Sequence, residues 1–257
     1  MLKNKKGIIF GIANDHSIAW GIAEKFYNNN ANLAITYQNE SLLKRVKPLS
    51  EKINSELLIE CDFSKENSIE KSLDIIKKKW GTIDFIIHAV AFSDKKELSG
   101  RYIDTSKDNF INSLNISCYS FTRLAKLFNP ILNEGSSLLT LSFYGSKKVM
   151  PNYNVMGVAK AALETSVKYL SVDLGSRNIR VNAISAGPMR TLSGAAIANA
   201  REVYKYTEEN SSLKRNVLLE ELGNSALYLI SDLSAGVTGE IHYVDCGFNV
   251  LGMPKKK

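Results

Sequence analysis

The stretch Pro151-Asn152-Tyr153-Asn154-Val155-Met156-Gly157-Val158-Ala159-Lys160 decides how the rest of the chain is interpreted. Pro151 suits the first turn of a helix, where the N–H that proline lacks is not needed. Seven residues along a helix amount to about 700°, roughly 20° short of two turns, with a rise of about 10 Å. Tyr153 and Lys160 are therefore predicted to share one helix face. A phenol and an ammonium placed in this way suit a site that polarises a carbonyl oxygen and holds a sugar hydroxyl.

The bulk composition indicates one large globular unit. The chain has 257 residues, of which 44% are hydrophobic and 23% are charged, which is within the range of a single α/β domain. Cys61, Cys118 and Cys246 are far apart and odd in number, so we predict free thiols in a reducing compartment. No signal peptide and no apolar run of about 18 residues appears. A cytoplasmic protein without a membrane segment is expected.

Histidine spacing predicts no metal site, because no two of the three histidines are placed as metal ligands. His88 lies in an apolar run and is predicted to be a core histidine with satisfied hydrogen bonds. The formal net charge of +7 fits either a solvated basic surface or an acidic partner. Basic residues are spread along the chain without a nucleic-acid module signature, so nucleic acid is not an expected partner. Residues 253–257 are predicted to be a basic tail.

Apolar runs alternate with helical patterns along the whole chain. The predicted strands are residues 7–11, 32–37, 57–63, 83–92, 136–143, 180–185 and 240–247, and the clearest predicted helices are 17–26, 108–128, 151–174 and 220–229. This alternation predicts a Rossmann-type, doubly wound parallel sheet of about seven strands with helices on both faces. We expect one domain over residues 1–252. Small residues and a weak helical pattern make residues 191–210 a candidate mobile lid.

The first predicted strand ends in a glycine turn. Gly11 is followed by Ser17-Ile18-Ala19 and Gly21 rather than by G-x-G-x-x-G, but the physical demand is the same, since the free N–H groups at a helix start can bind a pyrophosphate. Ser17 could cap that helix or bond a phosphate oxygen. An ordinary strand-turn-helix remains the alternative.

Two polar residues follow the next strands. Gln38 comes directly after the second strand, where dinucleotide folds meet the adenosine ribose. Its neutral amide favours NADH over NADPH. Asp62 ends the third predicted strand, where it could accept a hydrogen bond from the adenine amino group or cap the following helix.

Several long stretches carry a family resemblance. They are 151–157 around Tyr153, Arg-Val-Asn-Ala-Ile-Ser-Ala-Gly-Pro over 180–188, Leu-Ser-Ala-Gly-Val-Thr-Gly-Glu over 233–240, Thr36-Tyr37-Gln38 and Gly100-Arg101-Tyr102. Over nearly its whole length the chain resembles the short-chain dehydrogenase/reductase superfamily. The spacing of Tyr153 and Lys160 is similar to that of its NADH-dependent enoyl-(acyl-carrier-protein) reductases. The literal Tyr-x-x-x-Lys match at Tyr144 and Lys148 is set aside, since it precedes Pro151 in a predicted loop.

The resemblance implies reduction of trans-2-enoyl-(acyl-carrier-protein) thioesters with NADH, the last step of the type II fatty acid elongation cycle. It implies that Tyr153 stabilises and protonates the enolate and that Lys160 anchors the nicotinamide ribose. It also implies acyl carrier protein as a partner and a homotetramer formed through the helices near 108–128 and 152–174.

The resemblance further assigns roles to single positions. The implied cofactor contacts are Gly11, Ser17, Ile18, Gln38, Asp62, Phe63, Val90, Lys160, Met189, Arg190, Thr191, Leu192 and Ser193. Ser93 is the implied substrate contact. Phe143 occupies a second active-site position where the family often has tyrosine, and it has no proton to donate.

Two other functions compete with this one. A 3-oxoacyl or other carbonyl reductase would need a four-residue tyrosine–lysine spacing and a serine donor, for which Ser142 is available. A dinucleotide-binding protein without catalysis would bind the cofactor but show no turnover.

Overall fold

The computed structural model describes residues 1–253, so the predicted basic tail lies outside the described residues beyond Met253. Seven strands form one sheet in which every neighbouring pair is parallel, in the order β3-β2-β1-β4-β5-β6-β7. They are β1 (Lys6–Phe10), β2 (Asn32–Tyr37), β3 (Leu57–Glu60), β4 (Ile83–His88), β5 (Leu132–Phe143), β6 (Arg180–Ala186) and β7 (Ile241–Val244). The predicted doubly wound sheet is confirmed.

Helices cover both faces of this sheet. They are α1 (Ile18–Tyr27), α2 (Glu40–Lys52), α3 (Ser68–Trp80), α4 (Lys107–Leu114), α5 (Ser120–Phe128), α6 (Val155–Gly175), α7 (Ala200–Asn210) and α8 (Leu219–Ile230). Side chains of α3, α5 and α6 build one hydrophobic core, and those of α1, α2 and α8 build the other. Ile8 and Phe10 of β1 enter the first core while Ile9 between them enters the second, because successive strand residues point to opposite faces.

Several element boundaries differ from the sequence prediction, among them the start of β5 at Leu132 instead of residue 136 and the end of β4 at His88 instead of residue 92. The third strand ends at Glu60 rather than at residue 63, because the chain turns away there and the Asp62 N–H donates to Ser68 Oγ at 2.9 Å. The helix predicted over 108–128 is interrupted by a π-helical turn at Asn115–Tyr119. Part of the predicted lid is regular, since α7 spans Ala200–Asn210.

His88 is buried at the end of β4, as predicted for a core histidine. Its Nδ1 lies 2.8 Å from Thr140 Oγ1 and its Nε2 lies 2.8 Å from Ser120 Oγ. Burial, together with the positive charge of Lys160, lowers the pKa of His88 to about 3. The ring is therefore neutral at physiological pH and ties β4 to β5 and α5.

Within residues 1–253 no helix is both long and apolar enough to cross a membrane. The same residues hold no cluster of three or more His, Cys, Asp or Glu side chains placed to bind a metal ion.

Arg180, the first residue of β6, fastens α8 to the sheet. Its buried guanidinium donates to the carbonyl oxygens of Leu229 at 2.6 Å, Ile230 at 3.1 Å and Ser231 at 3.2 Å. Carbonyls at a helix end have no intrahelical donor, so this one side chain caps the carboxyl end of α8.

We expect Arg180→Met to lower the free energy of unfolding by about 3 kcal/mol, since buried carbonyls lose their donors while an apolar stem remains. The measurement is the midpoint of urea unfolding at one protein concentration. Arg45→Met, at an exposed position of α2, is the control and should change stability by less than about 0.5 kcal/mol. Equal midpoints for the two variants would contradict the capping role.

Candidate active site

The turn between β1 and α1 is built around Gly11 and Ser17. Gly11 has φ of +101°, and a Cβ there would lie 2.1 Å from Ala89 O, so only glycine fits. Ser17 does not cap α1 with its side chain. Its Oγ accepts instead from the N–H groups of Ala13 and Asn14, both at 3.1 Å. Ser17 therefore holds the turn in place, and Ile18 begins the helix behind it.

The residues predicted for the adenosine end lie where β2 and β3 end. Gln38 Nε2 donates to Asp62 Oδ1 at 3.4 Å, so these two predicted residues are brought together. Asp62 does not cap α3, whose N-cap is Asn67. Burial opposes ionisation of Asp62, but hydrogen bonds from Ser64 and Gln38 lower its pKa overall.

Phe63, the next predicted residue, packs edge-on against two rings. Its ring centroid lies 5.5 Å from that of Phe10 and 5.8 Å from that of His88. This position makes Phe63 a wall between β3 and the exit of β4.

The exit of β4 carries Val90 and Ser93. Val90 is partly buried against the first core. The segment is held by the π-helical turn, because Ser117 Oγ accepts from Phe92 N at 2.9 Å and donates to Phe92 O at 3.0 Å. Ser93 Oγ exchanges hydrogen bonds with the Asn109 amide at 3.1 and 3.3 Å. Its hydroxyl is thus oriented by α4.

Tyr153 lies in the turn before α6 and not on the helix itself. The helix begins at Val155, so the prediction that Pro151 starts it and that Tyr153 shares a helical face with Lys160 is wrong. Asn152 and Asn154 have φ of +63° and +43°, which are not helical values. Their side chains donate to loop carbonyls, Asn152 to Ala198 O and Asn154 to Glu97 O, both at 3.0 Å.

Tyr153 nevertheless becomes the centre of a small buried cluster. Its ring meets Phe143 edge-on, with centroids 5.0 Å apart and an interplanar angle of 72°. The cluster is completed by Leu98 and Met156, with Met150, Ala196 and Ile197 packed against it. Burial, assisted by the negative charge of Glu164, raises the pKa of the Tyr153 phenol well above its ordinary value. The phenol stays protonated and can donate.

Lys160 lies on α6 with 6% of its surface exposed. Its Nζ donates to Leu141 O of β5 at 2.8 Å. Burial lowers the pKa of Lys160 to about 8, against the opposing effects of Cys118 and Glu164. One carbonyl uses only one of the three protons of an ammonium, so the group retains donors for hydroxyls of a ligand.

The segment after β6 holds the remaining predicted residues, Met189 to Ser193. Met189 packs against the second core, and Thr191 Oγ1 accepts from Gly194 N at 3.0 Å to close a turn. Arg190 lies over the Tyr204 ring, 4.5 Å from its centroid. Leu192 is 45% exposed. A 3₁₀ turn at Gly194–Ala196 separates these residues from α7.

Two residues near the site were missed from the sequence. Met156 packs beneath Tyr153, which an apolar side chain in an apolar helix does not reveal. Glu164 is 1% exposed, and here a signal existed. It stands four residues after Lys160 and directly after the buried Leu163, where a carboxylate is unusual.

The pair Tyr144 and Lys148 is not on a helix, since Tyr144 begins a 3₁₀ turn and donates to Asn249 O at 3.2 Å.

The predicted positions follow the carboxyl ends of β1 to β6, which meet at one edge of a parallel sheet. The order of the sheet reverses between β1 and β4, and this is where open α/β sheets bind ligands. A dinucleotide fits the groups present. The first N–H groups of α1 have no intrahelical acceptor, Gln38 ends β2, and the Lys160 ammonium lies beyond β5.

Comparisons with known proteins agree with this arrangement. Residues 11–249 match the family described as enoyl-(acyl carrier protein) reductase. The chain is 56% identical over 254 residues to enoyl-(acyl-carrier-protein) reductase (NADH) 2 of Rhizobium meliloti (strain 1021), covering 99% of this chain and 95% of that protein. It is 52% identical over 255 residues to the NADH-dependent reductase of Rickettsia typhi (strain ATCC VR-144 / Wilmington), covering 99% and 98%.

A solved structure agrees as closely. The Anaplasma phagocytophilum enoyl-(acyl-carrier-protein) reductase, crystallised in complex with NAD, superposes with a TM-score of 0.95 at 52% identity, covering 99% of this chain and 97% of that one. The sequence match spans nearly the whole chain and the fold match extends through the site. This chain belongs to the enoyl-(acyl-carrier-protein) reductase family.

Proposed function

We propose that this chain reduces the trans-2 double bond of enoyl-(acyl-carrier-protein) thioesters with NADH, as the last step of type II fatty acid elongation. The observation that carries the proposal is the buried Tyr153 phenol at the exit of β5, close in sequence to the buried ammonium of Lys160. The reaction is inferred from the family to which the chain belongs. The Tyr153 phenol and the Lys160 ammonium are the hydrogen-bond donors proposed for it.

Bound NADH supplies a hydride to the carbon–carbon double bond. Negative charge then develops on the thioester oxygen, and a donor already in place stabilises it most effectively. Tyr153 is that donor, since burial keeps its phenol protonated. Lys160 holds the nicotinamide ribose hydroxyls and adds a positive field. Phe143 has no proton to give, and its ring fixes the plane of Tyr153.

Charge at the adenosine end favours NADH. Gln38 donates to the Asp62 carboxylate, whose pKa is lowered, so a negative charge stands behind the ribose site. A 2′-phosphate would be repelled there. The other proposed cofactor contacts are Gly11, Ser17, Ile18, Phe63, Val90, Met189, Arg190, Thr191, Leu192 and Ser193, with Ser93 as the proposed substrate contact.

Residues 191–210 are proposed as the lid of the site, within one reductase domain over residues 1–252. Ala196 and Ile197 pack against the cluster that contains Tyr153. Two hydrogen bonds join Ala198 to its surroundings, one from its N–H to Leu98 O at 3.0 Å and one from Asn152 Nδ2 to its oxygen at 3.0 Å. Movement of this segment would uncover the phenol.

The carbonyl reductase alternative is disfavoured by Ser142. That reaction needs a free serine donor, but Ser142 is 4% exposed and its hydroxyl donates to Glu164 Oε1 at 2.6 Å. Tyr144, the tyrosine of the Tyr-x-x-x-Lys match, is also occupied, since its hydroxyl donates to Asn249 O.

Acyl carrier protein is the proposed partner, and the cell's cytoplasm the predicted location. The carrier is acidic, and Arg201 is exposed on the first turn of α7, although Ala198 and Glu202 nearby add no positive charge. Salt dependence of KM for carrier-bound substrate measures that attraction. Cys61, Cys118 and Cys246 are free thiols, in keeping with a reducing compartment.

A homotetramer is proposed from the exposed apolar stripe on α6. Val158, Tyr169 and Val172 are 37%, 72% and 80% exposed, and they recur at intervals that return to one helix face. Ile111 of α4 and Tyr119 of the π-helical turn are also exposed, at 55% and 56%. Exposed apolar side chains grouped on one helix face are typical of an interface between subunits, which supports the proposal.

Turnover tests the function directly. Wild-type protein should oxidise NADH when a trans-2-enoyl thioester is present. It should not oxidise NADH with a 3-oxoacyl thioester or in the absence of substrate. Tyr153→Phe should lower kcat by about 10²-fold with KM for NADH nearly unchanged. Turnover only with the 3-oxoacyl thioester would contradict the proposed reaction, and undiminished kcat in Tyr153→Phe would contradict the role of the phenol.

Affinity for NADH should fall as the pH rises through the pKa of Lys160, which is about 8. One pH unit above that value about one-tenth of the ammonium remains, so fewer N–H donors face the ribose. Dissociation constants measured by calorimetry across this range should rise with pH. Lys160→Arg stays charged throughout and should give a flat profile. A flat wild-type profile would contradict the prediction.

Charge placed on the α6 stripe should dissociate the tetramer. We expect wild-type protein to have the mass of four chains in light scattering, and the double variant Tyr169→Glu/Val172→Glu to have a smaller mass, because the interface would bury unpaired carboxylates. Lys71→Glu, at an exposed position of α3, is the control. A tetramer that survives the double variant would place the interface elsewhere.

A further inference from the structure

Glu164 is a buried carboxylate that the proposed chemistry does not use. It lies on α6, is 1% exposed, and one of its oxygens, Oε1, accepts from Ser142 Oγ at 2.6 Å and from Ser146 Oγ at 2.5 Å. The other oxygen, Oε2, makes no hydrogen bond and lies 3.0 Å from Lys147 Nζ as an ion pair. Burying a charge costs free energy unless the charge is paired. The two serines and Lys147 therefore stabilise the Glu164 carboxylate in the protein interior.

The two serines bracket a short segment that touches Tyr153. Between them lie Phe143, whose ring meets the Tyr153 ring edge-on, and Gly145. A Cβ on Gly145 would lie only 2.4 Å from Tyr153 Cδ1. The segment therefore forms one wall of the Tyr153 pocket, and a shift of either serine would move that wall.

Helix α6 holds the same segment from behind. A Cβ on Gly157 would lie 2.8 Å from Gly145 O, so the helix and the segment are in backbone contact. One turn before Glu164, Lys160 donates to Leu141 O, directly before Ser142. Lys160 and Glu164, which lie one turn apart on α6, therefore both bind the stretch of chain that starts at Leu141.

Lys147 balances the charge of Glu164. Its side chain is 46% exposed, and the hydrogen bond and charge of Glu164 raise the pKa of Lys147. The negative charge of Glu164 contributes, after burial, to raising the pKa of Tyr153. Without its counter-ion the carboxylate would also oppose the negative charge that develops on the substrate oxygen.

We propose that Glu164 is a positioning residue for the reduction: by holding Ser142 and Ser146 it fixes the segment between them and so sets the Tyr153 phenol for hydrogen bonding to the thioester oxygen. This inference rests on the proposed role of Tyr153. It predicts that the carboxylate affects turnover through Tyr153 and has little effect on binding of NADH.

Three variants test the proposal in the NADH oxidation assay with a trans-2-enoyl thioester. Glu164→Gln keeps the shape but loses the ion pair and part of the acceptor capacity, and Ser142→Ala/Ser146→Ala removes both donors with the charge in place. Both should lower kcat by about 10- to 100-fold, the scale of an ångström-size misplacement, with KM for NADH unchanged. Lys168→Ala, exposed on the same helix, is the control and should keep wild-type kcat.

A double-mutant cycle separates positioning from general destabilisation. In a Tyr153→Phe background, Glu164→Gln should have no further effect on kcat, because the group through which it acts is gone. A full multiplicative loss in that background, or wild-type kcat in Glu164→Gln, would overturn the proposal. If Glu164→Gln does not fold, the serine variant decides by the same outcomes. A wild-type enzyme without turnover would instead reject the proposed function.

Discussion

Two charged side chains of α6, both almost completely buried, hold the place where β5 leaves the sheet. Lys160 donates to the Leu141 carbonyl, and Glu164 accepts from Ser142 and Ser146. Buried charges need partners of defined geometry, so the strand exit has little freedom to move. The Tyr153 ring packs on that exit, against Phe143 and Gly145. Two buried charged groups therefore lie beside the candidate active site.

Asparagine shapes the other side of the pocket. Asn152, Asn154 and Asn199 have positive φ values, which asparagine tolerates better than most residues. The first two also donate to carbonyls of the neighbouring loops. These contacts take Tyr153 out of the helix and beneath residues 196–198. The asparagines thus precede helices α6 and α7, and two of them join the turn that carries Tyr153 to neighbouring loops.

Packing explains why the site lies at one edge of a rigid sheet. Strands buried on both faces are held by two cores, so their carboxyl ends keep fixed positions. At or near those ends lie Gln38 and Asp62 in loops, Phe143 as the last residue of β5, and Lys160 on α6. His88 adds a neutral polar link between β4, β5 and α5. The candidate site residues therefore lie beside strand ends that two hydrophobic cores hold in place.

The sequence by itself determined the alternation of strands and helices, the doubly wound sheet and the family, because hydrophobic periodicity and long motif stretches are local properties. It also indicated Tyr153 and Lys160 as candidate site residues from their flanking motif, although the helical spacing predicted for the pair is wrong. Only the tertiary structure decided that Tyr153 precedes the helix, that Ser17 holds a turn rather than caps α1, and that Glu164 is buried. The position of Tyr153 depends on backbone angles that asparagine permits but does not require, and the burial of Glu164 depends on Ser142 and Ser146, which are distant in sequence. The hydrogen bonds of Ser17 are local, to Ala13 and Asn14, but residue type alone does not decide whether its hydroxyl serves the turn or the helix.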